Sequence, residues 1–261
     1  MIIDRKRAQE VFLAYAARYD ANDPKIRLKI EHTLKVTEAA ERIAVSLGMG
    51  KEDRDLAWLL GLLHDVGRFE QVRRYGTFSD AKSISHAHLG AEILFDGADS
   101  ATGIRDFVKD PSEDGLIRRC IELHSDFRLP PLDARTDVFA KLLRDADKVD
   151  ILRVAVTVPR TDIYGISEEE LKSAPVTPAV LENFFRHSCI DRQLKKTPAD
   201  SVIGHISLVF ELEFPESVRM VREQGYLLAL MDFESDSPGT RDALRQVREE
   251  MERYMAETAS V

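Results

Sequence analysis

The stretch GLLHDVGRFE, residues 61–70, decides how this chain is read: an apolar run, LAWLLGLL at residues 56–63, ends on an adjacent histidine and aspartate, His64 and Asp65. A helix serving only a packed core would continue with leucine or alanine, so the pair requires a partner or a chemical role. Outward from it, apolar residues recur at three- and four-residue intervals along nearly the whole chain, and alternating runs are scarce and short. That is the helical period, and the expected fold class is all-α. Helices are expected at about 4–20, 24–47, 52–67, 83–96, 102–109, 113–126, 135–156, 178–188, 200–213, 215–231 and 239–257. Pro24 and Pro215 suit a first helical turn, and Gly48-Met49-Gly50 stops the second helix. The segment TVPRTDIYGISEEELKSAPVTP, residues 157–178, carries Pro, Gly and an acidic cluster, breaks the period and reads as a linker or lid. Residues 1–156 are expected to form a helical core, with 157–261 a linker or lid and a helical extension packed on it.

The 261 residues, 44% of them hydrophobic, suffice for a sizeable core. A net charge of -9 argues against a broad nucleic-acid-binding surface, because backbone phosphates would be repelled by the mean field. Local basic clusters for a small phosphorylated ligand remain compatible with it. The opening MIIDRKRAQE is charged from Asp4 onward, so no signal peptide is expected. The longest apolar run is too short to span a bilayer, and a cytoplasmic protein without a membrane partner is expected. Cys120 and Cys189 lack a CxxC spacing and read as reduced core thiols.

Five of the seven histidines fall between residues 32 and 124. His32 lies one turn from both Leu28 and Val36, His86 shares a face with Leu89, Gly90 and Ile93, and His124 continues the face of Ile117, Cys120 and Ile121. Asp147 follows Leu143 by four. Each inward imidazole, taken singly, fits a hydrogen-bonded core histidine. Burying several neutral imidazoles with two carboxylates in one core is costly unless a common cation satisfies them, and a shared metal site is the economical explanation.

The order His32, His64-Asp65, His86, His124, Asp147 resembles the HD superfamily of metal-dependent phosphohydrolases, through the stretches EHTLKV, LLHDVGR, HAHLGAEIL, IELHSD and RDADKVD. The resemblance spans about residues 26–156 and implies an HD-domain-like helical bundle. It also implies that His32, His64, Asp65 and Asp147 ligate one metal. His86 and His124 resemble the subgroup with a second metal, in which Asp65 bridges both ions. One or two divalent transition metals are expected; a His/carboxylate set suits Fe, Mn, Co, Ni or Zn without choosing among them. His88, two positions from His86, points about 200° away around a helix and reads as a supporting or surface residue. Asp145 likewise points away from Asp147, as a supporting carboxylate or a surface charge. His187 and His205 lack a completing ligand spacing and read as structural.

Such ions call for nearby cations when the substrate is phosphorylated. The stretch GRFEQVRRYGTFSDAKS, read as a loop, supplies Arg68, Arg73, Arg74 and Lys82, and guanidinium forks match phosphate oxygens. Arg68, three residues from Asp65, is a candidate catalytic and substrate-binding residue beside Asp65 itself. Arg73 and Arg74 fit a clamp or a solvated basic surface equally. Lys148 would either neutralise a phosphate or pair with Asp145 or Asp150. The leading expectation is a hydrolase in which activated water attacks a phosphomonoester, phosphodiester or phosphoanhydride of a nucleotide. The alternative is an HD-type di-iron oxygenase acting on a small hydroxylated substrate, and a third class is a metal-retaining ligand sensor.

Overall fold

Proline and capping residues set the helix starts. Asp4 accepts from the Arg7 N–H ahead of α1 (Arg5–Ala16), and Asp23 caps α2 (Pro24–Ser46), which begins on its proline. A side-chain oxygen there satisfies one of the orphan N–H groups of a first turn. Gly50 precedes α3 (Lys51–Leu63), and α4 (Val66–Tyr75), α5 (His86–Phe95), α6 (Ile104–Phe107), α7 (Asp114–Leu123) and α8 (Ala134–Thr157) follow. The structure is a computed structural model that describes residues 1–97, 102–159 and 165–258; among these no strand occurs.

The chain divides into two compact units, Met1–Asp147 and Lys148–Val261, with the division falling inside α8. In the first unit α2 packs along α3, α4 along α5, and α7 against both α3 and α5. Two glycines allow the close crossings. A Cβ on Gly61 would stand 2.7 Å from the Thr37 Cα, and one on Gly67 would stand 2.1 Å from the His86 carbonyl oxygen. Phe12, Tyr15 and Phe69 pack edge to face beneath α4, and the Tyr15 hydroxyl donates to the Val66 carbonyl at 2.9 Å.

The helix expected at 52–67 is two helices. α3 ends at Leu63, His64 and Asp65 form the corner, and α4 starts at Val66, with Asp65 at φ -109°, ψ 16°. The stretch after the pair, read as a loop, is therefore largely helical, and Gly76 closes it in the left-handed conformation. Apolar periodicity could not find the corner because both helices bury their faces in the same core, so the pattern runs on through it.

The second unit comprises the end of α8, α9 (Glu168–Ser173), α10 (Pro178–Phe184), α11 (Pro198–Ile206), α12 (Pro215–Gln224), α13 (Tyr226–Met231) and α14 (Pro238–Thr258). The helix expected at 215–231 breaks at Gly225, whose φ of 69° a helix interior does not accommodate. Of the segment read as a linker or lid, residues 160–164 lie outside the described residues, and Ser167 and Glu170 form a capping box at the start of α9. Fully buried Asp200 accepts from the Thr177, Lys196 and Thr197 N–H groups, tying α10 to α11.

Candidate metal centre

Two histidines of the first unit are placed by the same local device. His64 follows the last residue of α3 and His124 the last of α7, where carbonyls have no intrahelical partner. Each ring turns back so that Nδ1 donates to the carbonyl three residues earlier, His64 to Gly61 and His124 to Ile121, both at 2.7 Å. A ring whose Nδ1 carries the proton presents an unprotonated Nε2. His86, first residue of α5, is held likewise through Nδ1, 2.7 Å from Asp80 Oδ2. His32 comes from the middle of α2, Asp65 from the corner between α3 and α4, and Asp147 from α8.

These six residues converge. His32 Nε2 lies 3.1 Å from Asp147 Oδ1, 3.3 Å from His64 Nε2 and 3.6 Å from Asp65 Oδ2; His64 Nε2 is 3.5 Å from the same Asp65 oxygen. On the other side, His86 Nε2 lies 3.0 Å from His124 Nε2 and 3.4 Å from Asp65 Oδ1, and His124 Nε2 is 3.8 Å from that oxygen. The Asp65 carboxylate thus stands between two groups of donors, Oδ2 toward His32, His64 and Asp147, and Oδ1 toward His86 and His124.

The donor chemistry fits metal ions. Two Nε2 lone pairs 3.0 Å apart, with both protons committed to Nδ1, repel each other and cannot share a hydrogen bond. A cation between them turns that repulsion into ligation, and His32, His64 and Asp147, like His64, Asp65 and His124, are grouped closely enough to hold one. Burial pushes the His86 ring down to about 3, with the Arg68 charge adding to it, and burial lowers His64 as well. Burial thus favours the neutral form of these two rings, the form that ligates. Burial alone would raise the Asp65 carboxyl, but the Lys29 ammonium and neighbouring imidazoles hold it well below the usual carboxylate range. Asp147, also opposed by burial, is lowered by His32, and Asp80 by His86 and Arg68.

Around the ligands, Lys29 Nζ lies 2.6 Å from Asp65 Oδ2 and Arg68 Nε 3.5 Å from Asp65 Oδ1. Arg68 Nη1 donates to Gln71, Asp80 and the Phe78 carbonyl at 2.6–2.9 Å, whereas its buried Nε–H has no hydrogen-bond partner. Arg73 forks onto Glu70 at 2.6 and 2.7 Å, and Arg74 shares that carboxylate. Lys82 is exposed in a turn of 3-10 helix, and Lys148 pairs with Glu211 at 3.1 Å within the second unit. His88 is exposed, while Asp145 is fully buried and so no surface charge. His187, with Nε2 2.7 Å from Glu250, and His205 in α11 belong to the second unit. Cys120 and Cys189 are free and buried, and burial pushes the Cys120 thiol up to about 12.

Sequence reasoning passed over Lys29, Asp80 and Gln71. Lys29 precedes His32 by three residues and so shares its helix face. Asp80 lay within the quoted basic stretch, but only the turn at residues 77–82 brings it to His86 and Arg68. Among family models, the HD domain matches residues 30–152. No curated protein and no solved structure matches the chain.

Proposed function

We propose, from the premise that this chain belongs to the HD superfamily through residues 30–152, that it is a metal-dependent phosphohydrolase acting on a nucleotide. The observation that carries the reading is the Asp65 carboxylate set between two groups of imidazoles, with one oxygen toward each. His32, His64, Asp65 and Asp147 would hold one divalent ion, and His86, His124 and Asp65 a second. Bound there, such ions lower the pKa of water toward ~7 and polarise a phosphoryl oxygen.

The protein's own groups supply orientation and charge. The Gly61 and Ile121 carbonyls and Asp80 each engage the far nitrogen of a ligating ring, which fixes its tautomer and direction. Arg68 is clamped through Nη1, so its direction is set before substrate arrives. Its Nε–H, 3.5 Å from the Asp65 carboxylate but without a hydrogen-bond partner, is costly to bury unsatisfied and would donate to a phosphoryl oxygen of the substrate. An oxygenase acting on a neutral polyol has no use for cations this close to the ligands, which is why hydrolysis is the preferred reading.

The test is a panel of phosphorylated nucleotides turned over anaerobically with Mn in 18-O water. Release of phosphate or a nucleoside monophosphate carrying the solvent label is expected. Turnover that stops without oxygen, or label drawn from molecular oxygen, would replace this reading with the di-iron oxygenase. Among the described residues no helix is long and apolar enough to cross a membrane.

A further inference from the structure

The six candidate ligands are nearly all sealed from solvent: the side chains of His32, His64, Asp65, His86 and His124 are 0–3% exposed. Asp147, Lys29, Arg68 and Asp80, each in contact with one of these groups, form the more exposed edge of the cluster, at 13–16%. Two of the four members of that edge are cations, placed where they would meet an anionic group bound at the ligands. Both are held in place. Lys29 Nζ lies 2.6 Å from Asp65 Oδ2 and 5.3 Å from the centre of the Phe78 ring, and the Arg68 guanidinium carbon is 5.6 Å from the same ring.

The charge at this edge is lopsided. Asp65, Asp147 and Asp80 bring three negative charges and Lys29 and Arg68 two positive ones, and an imidazole that ligates a metal does so in its neutral form. One divalent ion leaves an excess of about one positive charge and two ions about three, in a setting sheltered enough for charge to be weakly screened. A monoanionic phosphodiester leaves much of that excess unbalanced when two ions are bound, while a dianionic terminal phosphoryl group balances more of it and offers an additional acceptor oxygen.

We propose that Lys29 is a substrate-binding residue of this centre and that, with Arg68, it selects a dianionic terminal phosphoryl group, as on a phosphomonoester or the end of a nucleoside polyphosphate, over a phosphodiester. This rests on the phosphohydrolase reading for the identity of the reaction, but it can be tested by binding alone. Holding Lys29 beside Asp65 in a core site offsets the carboxylate before substrate arrives, and the ammonium has two further N–H groups to donate.

The experiment measures calorimetric binding of inorganic phosphate and dimethyl phosphate to the metal-loaded full chain at about pH 8, where phosphate is a dianion. Metal content is determined for every sample. Wild type should bind phosphate at least about tenfold more tightly than dimethyl phosphate. Lys29→Met should lose about ten- to a hundredfold in phosphate affinity with little change for the diester. Lys29→Arg should recover most of the preference. Equal affinity of wild type for the two probes, or an undiminished preference in Lys29→Met, overturns the inference. So does loss of metal from Lys29→Met, because Lys29 would then be building the metal site rather than reading the substrate. Failure of wild type to hydrolyse any phosphorylated compound refutes the phosphohydrolase reading instead and leaves the binding comparison to stand or fall by itself.

Discussion

Gly67→Ala isolates what the corner at His64-Asp65 requires. Gly67 is the second residue of α4, where that helix crosses the start of α5. A Cβ there would lie 2.1 Å from the His86 carbonyl oxygen and 2.7 Å from the Gly90 nitrogen, both backbone atoms that cannot swing aside. Restoring an ordinary contact of at least 3.4 Å to the carbonyl means separating the two backbones by more than an ångström at that point. His86 sits on the displaced segment, and its Nε2 is only 3.4 Å from Asp65 Oδ1. The overpacking should cost about 1–3 kcal/mol, or roughly 2–12 °C in Tm for a chain of this size. A shift of that size at a ligand is expected to cost about a hundredfold in turnover. Thermal melts and elemental analysis of the purified variant check it, with reduced Tm and depletion of one ion expected. Gly90→Ala, whose Cβ would meet nothing closer than 3.3 Å, should be markedly milder. Wild-type stability and metal content in Gly67→Ala would refute the claim that this crossing positions His86.

Other consequences concern the ligands themselves. His86→Ala and His124→Ala should each lose one ion and keep the other, whereas Asp65→Ala should weaken both; equal stoichiometry in wild type and the histidine variants would refute a two-ion centre. Asp80→Ala, which releases His86 Nδ1, should reduce metal affinity about 10- to 100-fold, measured by chelator competition. The metal-free protein should also become less stable as the pH falls from 6.5 toward about 3, because the unfolded chain takes up a proton that the buried His86 ring refuses. Thermal midpoints across that range check this, with a shallower slope expected for His86→Gln, and identical slopes would remove His86 as the cause.

The helical class was legible in the sequence, and so was a set of histidines and aspartates turned toward one core. A period of three to four residues is a local property, and so is the inward direction it gives to His32, His86 and His124. The unusual cost of burying such residues together is also legible without coordinates, which is why a metal centre could be expected before any distance was known. Where the helix at Leu63 stops is a matter of packing, since α3 and α4 bury their faces in one core and the pattern does not change at the corner. Tertiary structure likewise set the partners of the cations. Arg73 and Arg74 read as either clamp or surface until Glu70, which shares their helix, took up both. Lys29 carried no signal beyond its spacing from His32, because its partner Asp65 lies 36 residues away and meets it only when α2 packs along α3. Charge pairing across such distances depends on which helices become neighbours, and a side chain's own sequence surroundings hold no record of that.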